Sequence, residues 1–565
     1  MPPGAIPVRL RAMFRRNPTP AHAALALLAS AGLLCLLFLP ARDDVNLRLI
    51  LDWRPEIEPL VLVALLAMLA LAGRRLPAAL RWLAAGLILL AAVLQFADAA
   101  VLAIFDRQLD LYFDLPHAPS LIGLVWVAAG AWRSMAAIAG GLLVLLATVG
   151  LIAYALAVAE RALRPPRHAV TALCIVAAVL AAAPLARHEL GRPVLADRTT
   201  LAAVRQMALV YTGWRVMHGY DDRYSAALAA PQPVPGPLPG LKRHDVYLVF
   251  FESYGTVVLD NPHYAAAIEP ALRDFAVTVG QAGWHLVSDR VVSPTFGGGS
   301  WLAHGTIDAG LKLDPLLTRL VTETGRHTLA AYLHNAGYRT LDVQPGLKTP
   351  EPEQSFWGFD RIEGAADLGY GGPPFGWFKI PDQYTLRSLD ESAGTPGRAP
   401  LFAQIVLVSS HTPFAPVPPY VAQWNAPDLY RGIPQARWDR IYAPPDWSHL
   451  DRPYLASVVY DLRTLAAWLA RMPGDALVVI VGDHQPPAFI SGRGQPWTVP
   501  IHILSRDPDL LRPFRALGYI EGPVPPPREG HFKGMESFLG EFIRGFSPAP
   551  SVAASPRAAA EHGTD

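Results

Sequence analysis

The sequence predicts a chain of two structural classes: an α-helical membrane portion of five spans, followed by an α/β domain built on a mostly parallel central sheet. Three observations carry this reading. The 565 residues exceed one compact soluble domain, and 52% hydrophobic residues with a mean hydropathy of +0.25 are too apolar for a wholly soluble one. The apolar character is concentrated before about Arg187. Beyond it, short β-rich runs alternate with helical patterns. Lys+Arg 48 against Asp+Glu 47 leaves a net charge of +1, so no basic field suggests nucleic acid as a partner. The two cysteines, Cys35 and Cys174, both lie in apolar runs and supply neither a disulfide framework nor a zinc cluster.

The five spans are Ala21 to Pro40, Pro59 to Gly73, Leu83 to Phe105, Ser134 to Ala159 and Ala169 to Ala186. A further run, Leu121 to Trp132, has 12 residues and follows a Pro-containing stretch, which favours an interfacial or re-entrant piece. Loops kept in the cytoplasm carry excess positive charge. Arg9, Arg11, Arg15 and Arg16, then Arg74, Arg75 and Arg81, then Arg161, Arg164 and Arg167 fall on one side if there are five spans. The large domain is then expected outside. Asp98 is an ionisable group at apparent membrane depth and a functional candidate, or a residue near the outer interface.

The expected organisation is a membrane portion over 1–190, a helical connector and Pro-rich linker over 191–243, an α/β domain over 244–546, and a disordered tail over 547–565. PQPVPGPLPG, from Pro231 to Gly240, reads as a stiff extended spacer without packing capacity. Strand candidates are Val246 to Phe251, Arg339 to Val343, Phe402 to Val408, Leu477 to Val481 and Val499 to Leu504. Helical patterns cover Arg326 to Ala336 and Pro453 to Arg471. Continuous apolar strands separated by helices indicate a sheet covered on both faces, with its site at the carboxyl ends of the strands.

Three strand ends carry polar groups. DVYLVFFES delivers Glu252, ALVVIVGDHQPP delivers Asp483 and His484, and FAQIVLVSSHTPF ends in His411. Glu252, Asp483 and His484 together offer two carboxylates and one imidazole, a set suited to one divalent cation: Mn²⁺ or Mg²⁺ first, Zn²⁺ next. Taken singly, each is also compatible with an ordinary loop residue; their recurrence at equivalent strand ends is the argument. In SPTFGGGSWLAHGTI, Gly297, Gly298 and Gly299 lead into Ser300 and a helix-compatible run. Such a loop turns backbone N–H groups toward an anion at a helix start. A Gly-rich turn with Ser300 as a plain N-cap gives the same local pattern.

The order of these motifs resembles the lipoteichoic acid synthase family, phosphoglycerol transferases of the alkaline phosphatase and sulfatase superfamily. The resemblance covers nearly the whole chain, and its most specific parts are FFES and GDH. It implies that Glu252, Asp483 and His484 bind one metal, usually manganese, with the nucleophile hydroxyl, and that His411 contacts the substrate phosphate or reacting oxygen. The family generally uses threonine as nucleophile. This chain offers Ser300, with Thr295 and Thr306 less well placed, and Gln344 stands where a histidine often follows the middle strand. Trp357, Arg361, Asp360 and Asp382 fall in regions where the family builds its substrate site.

The resemblance further implies a membrane phospholipid donor, an envelope glycan or polymer acceptor, and a covalent phosphoserine. It places the chain in a bacterial-type cytoplasmic membrane with the α/β domain outside. Sulfate-ester hydrolysis is disfavoured, because Ser300 is followed by Trp301, Leu302, Ala303 and His304 rather than x-Pro-x-Arg. Phosphoethanolamine transferases share the layout, but their exported domains typically carry disulfides, and no cysteine follows Cys174. A phosphodiesterase with water as acceptor, or a polymer-binding domain without turnover, would use the same scaffold.

Overall fold

Leu- and Ala-rich runs favour helix, and among the described residues they form three helices long and apolar enough to cross a membrane: Ala78–Phe105, Ala131–Leu163 and Pro166–Leu190. A shorter apolar helix spans Ile57–Leu71. This computed structural model describes residues 25, 32, 40–43, 48–51, 54, 56–117, 131–190, 194–196, 198–219, 221–348, 354–393, 397–425, 429–430, 437, 441, 446, 449–527 and 532–548. The N-terminal arginines, most of the first expected span, most of 121–132 and nearly all of the tail lie outside them.

The chain divides into two units, Met1–Arg215 and Val216–Asp565. In the first, Leu66 and Ala67 pack with Leu163 and Ala169, while Ala85 meets Ile152 and Leu156, small residues allowing close helix approach. Glu160 lies 3.6 Å from both Arg81 and Arg164, so these two arginine clusters share one end of the bundle. Asp98 Oδ1 accepts a hydrogen bond from Leu109 N at 2.7 Å, stapling the chain that follows its helix. The strands β1 (Pro40–Asp43) and β2 (Arg48–Leu51) pair antiparallel.

The second unit holds an eight-stranded sheet. Its strands are β3 (Asp245–Phe251), β4 (His285–Val292), β5 (Arg339–Val343), β6 (Arg361–Glu363), β7 (Leu401–Val406), β8 (Ala476–Gly482), β9 (Thr498–Ser505) and β10 (Ile520–Glu521). Their order is β10-β4-β9-β8-β3-β7-β5-β6. From β8 to β6 all neighbours are parallel, whereas β9 is antiparallel to both β8 and β4. The period of two along β3 sends Tyr247, Val249 and Phe251 into one core and Val246, Leu248 and Phe250 into the other. Helices Pro262–Gln281 and Asp451–Arg471 cover the first face. Ser300–Ala309, Leu329–Asn335 and Ser537–Phe546 cover the second.

All five expected strands form, with ends shifted by two residues at most. The antiparallel β4 is additional: Ser288, Asp289 and Arg290 interrupt its apolar pattern, yet Ser288 is bonded by His502 and Arg290 by Asp260. The Pro-rich stretch departs from its reading as a spacer without packing capacity. Leu238 is buried, Tyr332 donates its hydroxyl to the Pro233 carbonyl, and Gln232 bonds His327, so the stretch straps onto the α/β unit. Proline-rich backbone leaves its carbonyls free to accept such bonds.

Candidate metal and nucleophile site

Strand register builds the centre. Phe251 pairs with Gly482 across β3 and β8, so the next residue on each strand, Glu252 and Asp483, emerges at the same level. The loops beyond them meet backbone to backbone. A Cβ at Gly482 would collide with the Tyr254 carbonyl oxygen, and one at Gly255 with the Gln485 side chain. Glycine is therefore required at both positions.

The nucleophile loop is bound to the same strand end. Gly297, Gly298 and Gly299 have φ of 70°, 148° and 77°, conformations open to glycine but costly for other residues. Gly297 N donates to the Gln485 carbonyl at 3.0 Å, and Ser293 Oγ to the Asp483 carbonyl at 2.6 Å. The helix Ser300–Ala309 then starts with its first hydroxyl at the centre. Ser300 Oγ lies 3.1 Å from Glu252 Oε2 and 3.1 Å from His484 Nε2. Thr295 instead donates to the Gly298 carbonyl, and Thr306 accepts from Leu313 N.

Glu252, Asp483 and His484 are buried and offer ligand atoms within 4.8 Å of one another. His484 Nδ1 faces the Gln485 carbonyl at 2.7 Å; a carbonyl can only accept, so Nδ1 carries the proton and Nε2 presents its lone pair. Asp483 Oδ1 accepts from the backbone N–H of Ser253 and of His484, each at 2.7 Å. Its other oxygen, Oδ2, is buried and receives no hydrogen bond. Burial, and then the charge of Asp483, push the Glu252 carboxyl well above its usual pKa. An unpartnered buried oxygen, two crowded carboxyls and an imidazole lone pair fit a divalent cation, with the Ser300 hydroxyl as a further oxygen ligand.

His411 belongs to the same end of the sheet. Its Nδ1 donates to the Thr412 carbonyl at 2.7 Å, and its ring lies against Trp377 and Phe378, with centroids 6.2 and 4.9 Å away. Burial lowers its pKa to about 4, with the neighbouring His484 a smaller cause in the same direction. The neutral ring keeps Nε2 as an acceptor. The preceding residue, Ser410, donates to the Glu252 carbonyl at 2.7 Å.

Asp382, expected in the substrate-site region, instead supports this turn from beneath, together with Asp461, which the sequence did not single out. Asp382 accepts from Val408 N and Ser409 N, both at 2.8 Å. Asp461, fully buried on the helix Asp451–Arg471, lies against Asp382 and beside Ser410, with both of its oxygens out of reach of water. Ser410 lies beside Asp461 but gives its proton to Glu252. Burial and then the Asp382 charge raise the Asp461 pKa well above normal, which favours one proton held between the two carboxyls. His304 was likewise not singled out. It sits one turn after Ser300, its ring 4.1 Å from that of Phe250, with Nε2 free of hydrogen bonds and its pKa lowered by burial to about 4. The i, i+4 spacing from Ser300 is the signal that could have found it.

The other candidates lie elsewhere. The Trp357 ring lies against Gly305 and Leu313, and its carbonyl accepts from Thr328 Oγ1. Arg361 is largely exposed, pairs with Glu363 at 2.9 Å and lines a polar cavity of about 340 Å³ with Arg387 and Tyr384. Gln344 donates to Asp342 at 2.5 Å. Asp360 exchanges hydrogen bonds with Thr340. No hydrogen bond or ion pair joins Trp357, Arg361 or Gln344 to the Ser300 cluster.

Comparison with curated proteins finds no match. Residues 321–500 match the Sulfatase family profile, a segment that contains His411, Asp483 and His484 and begins after Glu252 and Ser300. The chain thus carries both a sulfatase-type segment and apolar helices long enough to span a membrane. Among solved structures it is similar to the lipoteichoic acid synthase LtaP from Listeria monocytogenes, at 14% identity and TM-score 0.37 over 58% of this chain and 78% of that one. It is similar to the Streptococcus pyogenes phosphoglycerol transferase GacH in complex with sn-glycerol-1-phosphate, at 11% and 0.34 over 59% and 81%. It is also similar to the integral membrane lipooligosaccharide phosphoethanolamine transferase EptA from Neisseria meningitidis, at 14% and 0.44 over 93% and 94%.

Proposed function

We propose that this chain is a membrane-anchored, metal-dependent phosphotransferase that moves a phosphoglycerol-type group from a phospholipid donor to an envelope glycan or polymer. The observation that supports it is the approach of Ser300 Oγ to Glu252 and His484 beside the unpartnered Asp483 Oδ2. The five-span topology and an outward-facing α/β domain belong to this reading, because a lipid donor presents its phosphodiester at the membrane surface. Manganese is the favoured ion, with Mg²⁺ and Zn²⁺ the alternatives.

A divalent cation held by Glu252, Asp483, His484 and the Ser300 oxygen would supply Lewis acidity and lower the hydroxyl pKa. Ser300 Oγ attacks phosphorus, and the bond from phosphorus to the diacylglycerol oxygen breaks. The phosphoglycerol group stays on Ser300, and the departing oxygen takes up a proton. An acceptor hydroxyl then attacks the phosphoserine and frees the serine. His411 suits the proton transfer of this second step, since Thr412 fixes its tautomer and burial keeps Nε2 unprotonated at neutral pH. The loop glycines let the chain turn sharply enough to present Ser300 at the start of its helix, where developing negative charge is favoured.

The test incubates purified full-length protein and Ser300→Ala with phosphatidylglycerol and, in parallel, phosphatidylethanolamine. Expected are a phosphoglycerol adduct on the Ser300 peptide and diacylglycerol release in the wild type, and neither in Ser300→Ala with metal content unchanged. Full activity in Ser300→Ala removes the nucleophile. Transfer from phosphatidylethanolamine alone changes the headgroup assignment, and free glycerol phosphate as sole product makes water the acceptor.

A further inference from the structure

Two exposed aromatic side chains of the α/β unit stand on the segments that carry its reactive residues. Among the described residues after Leu241, the exposed large apolar side chains are Val277, Trp301, Phe489 and Val524. The two aromatic ones are Trp301, which follows Ser300 and is 43% exposed, and Phe489, five residues after His484 and 49% exposed. Single exposed apolar side chains are ordinary on a protein surface; what sets these two apart is their position on the segments that follow Ser300 and His484.

The segment 486–497 that carries Phe489 is built, not loose. Ser491 Oγ donates to the Pro486 carbonyl at 3.0 Å, Tyr264 OH to the Ile490 carbonyl at 2.9 Å, and Gln485 Nε2 to the Pro496 carbonyl at 3.0 Å. Ser293 N donates to the Trp497 carbonyl at 2.8 Å, and the Trp497 ring lies 5.9 Å from that of Phe296 in the nucleophile loop. The two segments therefore form one rim. Its charge is one-sided: neither 294–303 nor 486–497 contains an acidic residue, and Arg493 is the charged residue they hold. No described carboxylate pairs with Arg493.

We infer that this rim, Trp301, Phe489 and Arg493, docks on an anionic phospholipid surface and brings a lipid phosphodiester to Ser300. Aromatic rings settle at the headgroup level of a bilayer, and an arginine beside them pairs with lipid phosphate. The same chain carries helices long and apolar enough to cross a membrane. The inference deepens the proposed function by assigning the surface through which a lipid donor reaches the site.

The test uses full-length protein in phosphatidylglycerol nanodiscs, with Phe489→Ser, Arg493→Gln and the double variant. Expected is a tenfold or greater loss of lipid-donor turnover in the double variant, carried mainly by KM, with cleavage of the soluble diester bis(p-nitrophenyl) phosphate unchanged. Unchanged lipid turnover overturns the inference. So does an equal loss on the soluble diester, which marks a damaged centre, or a raised KM for a glycan acceptor alone, which marks a sugar platform. A second measurement needs no turnover. Phe489→Cys in a Cys35→Ser, Cys174→Ser background carries an environment-sensitive dye, and nitroxide-labelled lipid is expected to quench it. Absence of quenching refutes lipid contact even where transfer is intact, and quenching upholds it even if Ser300→Ala disproves the nucleophile.

Discussion

Replacing Asp483 by Asn separates its two oxygens. Oδ1 holds the strand end together by accepting two backbone N–H bonds at 2.7 Å, whereas Oδ2 is buried with no donor. Asparagine keeps the first function, and its amide nitrogen placed at Oδ2 faces Glu252, to which it can donate. Like charges within 4.8 Å repel by about 3 kcal/mol at an effective dielectric of roughly 20. Protonation of Glu252 already relieves part of this, so metal-free Asp483→Asn should gain about 1–2 kcal/mol, or roughly 2–8 °C in Tm. Asp483→Ala should instead lose about 2–5 kcal/mol, because two buried N–H groups lose their acceptor. The wild type should gain about 2.7 kcal/mol from a cation at a hundred times its Kd, and Asp483→Asn much less. Thermal denaturation in detergent with EDTA or Mn²⁺, together with elemental analysis, measures all three. The reasoning fails if Asp483→Asn loads metal like the wild type, or if it destabilises the metal-free protein as much as Asp483→Ala does.

Further predictions concern the supporting shell. Asp461→Asn retains a donor toward Asp382 and should stay within about 1 kcal/mol of wild type, whereas Asp461→Ala should cost about 2–4 kcal/mol and lower kcat by loosening the turn before His411; denaturation midpoints and kcat that match between the two variants would exclude a proton held between the two carboxyls. His502, buried between Ser288 Oγ and Tyr254 OH, has its pKa lowered by burial to about 4. Its stability contribution is present above the unfolded value near 6.5 and is lost as pH falls toward 4, about 2 kcal/mol by pH 5. His502→Gln should flatten that part of the pH 7 to pH 5 difference in Tm, and an unchanged difference would remove His502 as its source. Gly482→Ala should prevent accumulation of folded protein, since its Cβ meets the Tyr254 carbonyl; normal metal binding in that variant would show that the loops can part.

Much of the centre was legible because strand ends advertise it. Six apolar residues running into Glu252, and another run broken at Gly482 before Asp483 and His484, give both secondary structure and side-chain placement from the pattern alone. Ser300 was legible because three glycines before a helical run mark a forced turn. Asp382 drew notice for the wrong role and Asp461 for none, because their meaning lies in the pairing of two carboxyls 79 positions apart, for which no local period exists. β4 was hidden by a polar trio whose partners, His502 and Asp260, are supplied by other elements. The Pro-rich stretch misled for a related reason: composition reports stiffness and says nothing about which surface lies alongside. Trp357 and Arg361 share a short segment, yet one packs under the Ser300 helix and the other faces water.

The pairing of Phe251 with Gly482 ties the candidate ligand set to sheet register. A slip of one residue between β3 and β8 would set Ser253 level with Asp483 and turn Glu252 to the opposite face, dissolving the ligand set without exposing an obviously wrong core. A divalent ion held by Glu252, Asp483 and His484 would bind the aligned register and not the slipped one, and so would stabilise the arrangement in which Ser300 meets its partners.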